Sequence, residues 1–187
     1  MVTMAARAGM THLISVVREM TGLGTADYSD DQMQGALDRE RRNIFMEPLR
    51  TLRDQNPTTT VYLEYLFDQD YVEASVSGTA AWRVENSTGA LISDTNYTVN
   101  YDAKQITFSV DQGGTAYYLS YRAYDAKRAA AGICRAMAAR YAARFDIETD
   151  NHSLKRSQLM AHYTRLAAQL ERDAPARIVS VERSDAY

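Results

Sequence analysis

The hydrophobic residues of this chain change their period twice. Up to about residue 53 the apolar residues recur at helical spacing, from about residue 58 to 121 they alternate, and from Asp125 the helical spacing returns. A stretch with one periodicity cannot bury its apolar face in the other conformation, so each switch marks a change of structure. The pattern predicts an α+β protein: a helical bundle of about four helices, an antiparallel β-subdomain inserted between helices 2 and 3, and an extended C-terminal arm. A length of 187 residues suits one domain with an insertion. The expected division is a discontinuous helical core over 1–57 and 122–175, a β-subdomain over 58–121, and an arm over 176–187.

Leu13, Val16, Val17 and Met20 share one helical face, and "TGLGT" ends that helix. The next begins at Ser29, an N-cap with Gln32 three residues on, as a capping box requires; Asp30 and Asp31 occupy the first turn, where the helix dipole favours acids. Met33, Leu37, Ile44 and Phe45 extend its apolar face, and Pro48 kinks or ends it. After the β region, Asp125 caps a helix with the stripe Ala126, Ala129, Ala130, Ile133, Met137 and Tyr141. Leu159, Tyr163, Leu166, Ala167 and Leu170 form the stripe of the last helix.

In the middle, Val61, Leu63, Tyr65 and Phe67 alternate on one face of a strand. "AAWRVE", "YTVNYDAKQITFSV" and "TAYYLSYRAY" continue the pattern, with "DAK" and "DQGGT" as tight turns. Nine of the thirteen tyrosines lie between Tyr62 and Tyr124, which suits a thin sheet stabilised by aromatic pairs. Residues 54–124 hold three basic and nine acidic side chains, a poor composition for gripping nucleic acid. The basic cluster Arg39, Arg41 and Arg42 alternates with Asp38 and Glu40 and reads as a solvated helix face or subunit contact. The single cysteine, Cys134, excludes an intrachain disulfide and a multi-cysteine metal site. No apolar run reaches the length of a bilayer span, and the apolar patch Met10–Val17 reads as a helix rather than a signal peptide.

"FDIETDNHSLKRSQ" places Asp146, Glu148 and Asp150 at alternate positions, as in the first half of a calcium loop. The sixth position should then be Gly and is Asn151; the twelfth should be Glu and is Ser157. A turn between two helices, with Asn151 left-handed and Ser153 as N-cap, fits better. His12, His152 and His162 lack partners at zinc-ligand spacing. Ser15, Ser157 and Cys134 lie in helical stretches without a nucleophile elbow or nearby Cys-His pattern. The expectation is a protein with no catalytic centre, no metal and no cofactor.

Four stretches together resemble the head-to-tail adaptor (connector) proteins of tailed bacteriophages. They are "TADYSDDQMQGALDRERRNI", "YTVNYDAKQITFSVDQGGTAYYLSYRAYD", "AKRAAAGICRAMAARYAARFDI" and "NHSLKRSQLMAHYTRLAAQLERDA", in which S-x-K-R-S-Q leading to H-Y-x-x-L-A is the most specific piece. The resemblance implies a structural virion protein without enzymatic activity, assembled in the host bacterial cytoplasm. Such adaptors form a homo-oligomeric ring, usually a dodecamer, in the neck beneath the portal protein, and they meet a downstream stopper or tail protein. Genomic DNA passes through the channel without sequence-specific binding. The C-terminal arm would dock on the portal through Ile178, Val179, Val181 and Tyr187. The alternative within the same assembly is another neck or tail-completion protein, a stopper or short-tail gatekeeper.

Overall fold

The computed structural model describes residues 6–56, 59–76, 81–143, 147–149, 152–154 and 156–176. Its helices are α1 (Thr11–Thr21), α2 (Asp30–Arg39), α3 (Ala126–Ala142) and α4 (Arg156–Asp173), with a short 3-10 turn, Ala8–Met10, leading into α1. Among the described residues between α2 and α3 lie seven strands: β1 (Arg41–Pro48), β2 (Arg50–Asn56), β3 (Thr59–Leu66), β4 (Trp82–Asn86), β5 (Tyr97–Asn100), β6 (Gln105–Phe108) and β7 (Tyr117–Tyr124). The protein is thus α+β, with the β part inserted between α2 and α3. Among the described residues no helix is long and apolar enough to cross a membrane.

Local chemistry explains the helix ends. The α1 helix stops at Gly22, whose φ of 67° is left-handed and whose N–H bonds the Arg18 carbonyl at 2.8 Å. Ser29 and Gln32 form the capping box of α2, and the Asp125 side chain accepts from the Arg128 N–H to cap α3. The α3 stripe from Ala126 to Met137 is buried, and its small side chains let α1, α2 and α4 pack against it. Tyr141 stacks on Tyr163 with ring centres 5.9 Å apart, and Arg135 pairs with Glu171 across the same α3–α4 contact. At the far end of α4, Lys127 Nζ and Arg128 Nη2 each donate at 2.9 Å to the carbonyls of Asp173 and Pro175, which satisfies acceptors that a helix end leaves open.

The strands form two antiparallel sheets rather than the single small sheet expected from the alternation. One has the order β1-β7-β4, the other β2-β3-β6-β5. The chain passes from the first to the second through Leu49 alone, so β1 and β2 behave as one strand that turns a corner between sheets. A shared core fills the space between them. Tyr65 meets Tyr117 at 5.4 Å, Phe67 meets Trp82 at 5.4 Å and Phe108 stacks on Tyr117 at 4.8 Å, each pair joining one sheet to the other.

Two further expectations are corrected. The helix expected to run to Pro48 ends at Arg39, and Arg41 to Pro48 form β1, paired with β7 from Arg41↔Tyr124 onward. Strand structure therefore begins at Arg41 rather than near residue 58. The spacing that put Ile44 and Phe45 on the face of Met33 and Leu37 is overridden because β7 offers an open strand edge, and a backbone ladder outweighs a weak helical preference. Ser153 does not cap the last helix: residues 152–154 form β9 (His152–Leu154), paired with β8 (Ile147–Thr149), and α4 begins at Arg156. Within the α3–α4 connection β8 and β9 thus pair antiparallel, from Ile147↔Leu154 to Thr149↔His152. Asp146, Asp150 and Asn151 lie outside the described residues, as do Ile178, Val179, Val181 and Tyr187 of the expected arm.

Candidate functional site

The joint between helices and β part is organised around a buried acid. Glu73 is 3% exposed, and its carboxylate accepts from the Tyr124 hydroxyl at 2.6 Å, Arg7 Nε at 3.1 Å and Arg122 Nη1 at 3.4 Å. Arg7 also grips Asp38 of α2 with two nitrogens, at 2.9 and 2.7 Å, and its backbone N–H bonds the Gln34 side chain at 2.7 Å. The Asp38 bonds favour the charged guanidinium, outweigh burial and raise the Arg7 pKa. Burial, then the bond to Glu73, raises that of Tyr124. A carboxylate so placed needs several donors, because an unpaired buried charge is far costlier than a paired one.

The same segment is locked by backbone contacts. Val72 bridges Ala123, the Glu73 N–H bonds the Arg122 carbonyl at 2.9 Å, and the Tyr124 N–H bonds the Tyr71 carbonyl at 2.7 Å. The Ala74 N–H reaches the Gly9 carbonyl at 3.0 Å. Beside this joint His12 stacks on Tyr101 at 5.5 Å, and burial lowers its pKa below the ordinary value.

The second unusual place is β1. Its pairing with β7 slips between Ile44 and Glu47, so Phe45 and Met46 bulge from the ladder. Met46 has a φ of 53°, a left-handed conformation that disfavours side chains with a Cβ, yet it is held there by a 3.1 Å bond from its N–H to the Ser120 hydroxyl. Glu47 anchors the following turn by accepting from the Tyr121 hydroxyl and, at 3.3 Å, from the Asp68 N–H. The bulge carries the Phe45 ring 76% exposed and Met46 46% exposed. Beside it a groove of about 260 Å³ runs over Asn43, Arg83, Ser120 and Arg122.

A larger cleft, about 520 Å³, opens between β4 and the segment 91–97, and Arg83 lines both it and the groove beside the bulge. Trp82, Val84, Ile92 and Tyr97 wall it, and Leu91 stands beside them 59% exposed.

The remaining sequence candidates do not converge. Cys134 is buried in α3, where desolvation pushes its thiol up to about 11. His162 is exposed and lies edge-on to its neighbour Tyr163. Among the described residues no group of three or more His, Cys, Asp or Glu side chains is placed to hold a metal ion. Arg39 ends α2, whereas Arg41 and Arg42 begin β1, so the basic cluster straddles two elements instead of one helix. The Glu73 network and the Phe45 bulge had no sequence signal: an acid in "YVEAS" and an apolar pair in "NIFME" are ordinary until their distant partners are known.

No protein-family model matches this chain, and comparison with curated proteins finds no match.

Proposed function

We propose that this chain is a structural component of a tailed-phage virion: a head-to-tail adaptor that forms a ring between the portal and the next neck or tail protein and extends the DNA channel. The observation that carries the reading is the order of parts. Two N-terminal helices, a β part inserted after the second, and an alanine-rich α3 packed on α4 are the arrangement that the resembling stretches imply. The small buried side chains of α3 make a rigid helical unit suited to repeated subunit contacts, and the exposed Phe45 and Met46 are apolar surface available to a partner. The acids of residues 54–124 repel the DNA backbone, which favours sliding over sticking. In this reading the chain has no catalytic role, and residues 176–187 dock on the portal.

Mass measurement and negative-stain imaging, with and without the portal, test the proposal. A ring that joins the portal is the expected result; a chain that stays monomeric and fails to bind portal refutes it. Removing residues 176–187 is expected to abolish docking while leaving thermal unfolding unchanged. Undiminished docking by the shortened chain overturns the arm assignment.

A further inference from the structure

The strand β1 has an open edge. Its ladder to β7 is antiparallel, and among the described residues no strand lies on its other side. The bonds of β7 show which backbone groups face that side. The Tyr124 N–H bonds the Tyr71 carbonyl at 2.7 Å and the Arg122 carbonyl accepts from the Glu73 N–H at 2.9 Å, so both residues turn their backbone groups away from β1. In an antiparallel ladder the residues opposite them turn away as well, and these are Arg41 and Asn43. Their N–H and C=O groups therefore point outward, whereas Glu40 accepts from the Asp125 N–H at 3.2 Å on the inner side. From Phe45 onward the bulge breaks the regular edge, which leaves residues 41–44 as a template for a short added strand.

The chain's own tail departs from this template. Arg128 holds the Pro175 carbonyl at 2.9 Å, and Pro175 and Ala176 share a hollow of about 210 Å³ with Glu40, Arg41 and Arg42. Ala176 is the last described residue, and residues 177–187 follow it. Extended at about 3.3 Å per residue they reach roughly 36 Å, well beyond the ~13 Å that residues 41–44 occupy. They open with "RIVSVE", which contains three β-branched residues and neither Gly nor Pro.

We infer that in the free chain residues 177–182 pair as a strand with the outer edge of β1 in the same molecule. Tail and β1 both set out from the hollow at Arg41, so the pairing is parallel. Val179 and Val181 share one face of such a strand, as Arg42 and Ile44 do on β1, where Ile44 is half-buried against the core of the sheets. Edge-to-edge pairing with β1 of a second copy would be held to the same four residues and would crowd Arg41 and Arg42 of both copies together. The inference does not rest on the adaptor reading; combined with it, portal and β1 compete for one tail.

Hydrogen exchange tests this on the full chain and on a chain ending at Ala176, each without portal and at low and high concentration. The amides of Arg41 and Asn43 are expected to exchange at least ~10-fold faster in the shortened chain, while those of Arg42 and Ile44, which face β7, stay unchanged. Val179→Pro, which interrupts the added strand, is expected to have the same effect in the full-length chain. Asn43→Cys with Ser180→Cys, treated with a short bis-maleimide, is expected to link within one chain; Cys134 is buried and gives no link of its own. Equal exchange at Arg41 and Asn43 in both chains overturns the inference. Faster exchange at all four amides also overturns it, because the loss is then one of general stability. Protection that appears only at high concentration, or a link between chains, places the tail on a second copy and overturns it too. Portal binding is not read in these measurements, so their failure leaves the adaptor reading to its own test.

Discussion

The Tyr124 hydroxyl donates a 2.6 Å hydrogen bond to the carboxylate of Glu73, and the pair stands where the helical core meets the sheets. Tyr124 packs in the helical core at the end of β7, while the segment carrying Glu73 bridges onto β7 beside the aromatic core of the sheets. With Arg7 and Arg122 converging on the same carboxylate, one side chain couples the N-terminus, α2 and the β part.

Replacing Glu73 by Ala is expected to destabilise the protein by about 3 kcal/mol, because it leaves the buried Tyr124 hydroxyl without its acceptor and takes the Glu73 partner from Arg122 and from Arg7, which keeps Asp38. Chemical denaturation measures this. A loss below ~1 kcal/mol would mean that water replaces the carboxylate and that the network does not hold the joint.

Gly9 is expected to resist substitution. A Cβ there would lie 2.7 Å from the Ala74 carbonyl oxygen, a backbone atom of the residue whose own N–H bonds the Gly9 carbonyl at 3.0 Å. Gly9→Ala should cost roughly 1 to 3 kcal/mol, the range for overpacking, read as a lowered Tm. Gly35, with open space around its Cβ position in α2, is the control: Gly35→Ala should stabilise by up to about 1 kcal/mol.

The capping box gives a third expectation. Ser29→Ala removes the side chain that accepts from the Gln32 N–H and should cost about 1 kcal/mol in the same unfolding experiment. Because Arg18 also holds Asp30 at 2.5 Å and the Tyr28 carbonyl at 3.0 Å, α2 is expected to keep its place and fray only at its first turn. Hydrogen exchange at Asp31 to Met33 measures that fraying.

The pH dependence has a different sign at each end. His12 has a folded pKa below its ordinary 6.5, caused by burial, so the unfolded chain takes up the proton first. Its contribution is complete above 6.5 and is lost as pH falls through the folded value. The difference in unfolding free energy between wild type and His12→Gln is therefore expected to shrink below pH 6.5, and a constant difference would refute it. Tyr124 has a folded pKa raised above 10.0 by burial and by Glu73. Its contribution is complete below 10.0 and lost above, so Tyr124→Phe should make the alkaline decline shallower.

The helices and most strands were legible because periodicity is a local record of which side is buried. The α3 stripe, the cap at Asp125, the box at Ser29 and the turns at "DAK" and "DQGGT" depend on residues within a turn or two of one another, and each stands where the spacing put it. Local spacing misled at β1 and at Ser153. Residues 41–48 carry helix-compatible spacing, but their hydrogen-bond partners are Tyr118 to Tyr124, and no local pattern announces a ladder to a strand so far along the chain.

Helices at both ends of an inserted β part are readable from the chain because the spacing of apolar side chains is written residue by residue. The split of the β part into two sheets turning at Leu49, the burial of Glu73 among three donors and the display of Phe45 emerge only when the chain is folded. Each of those outcomes depends on which distant backbone edge or charged group arrives at a position, and that is settled by the packing of the whole chain.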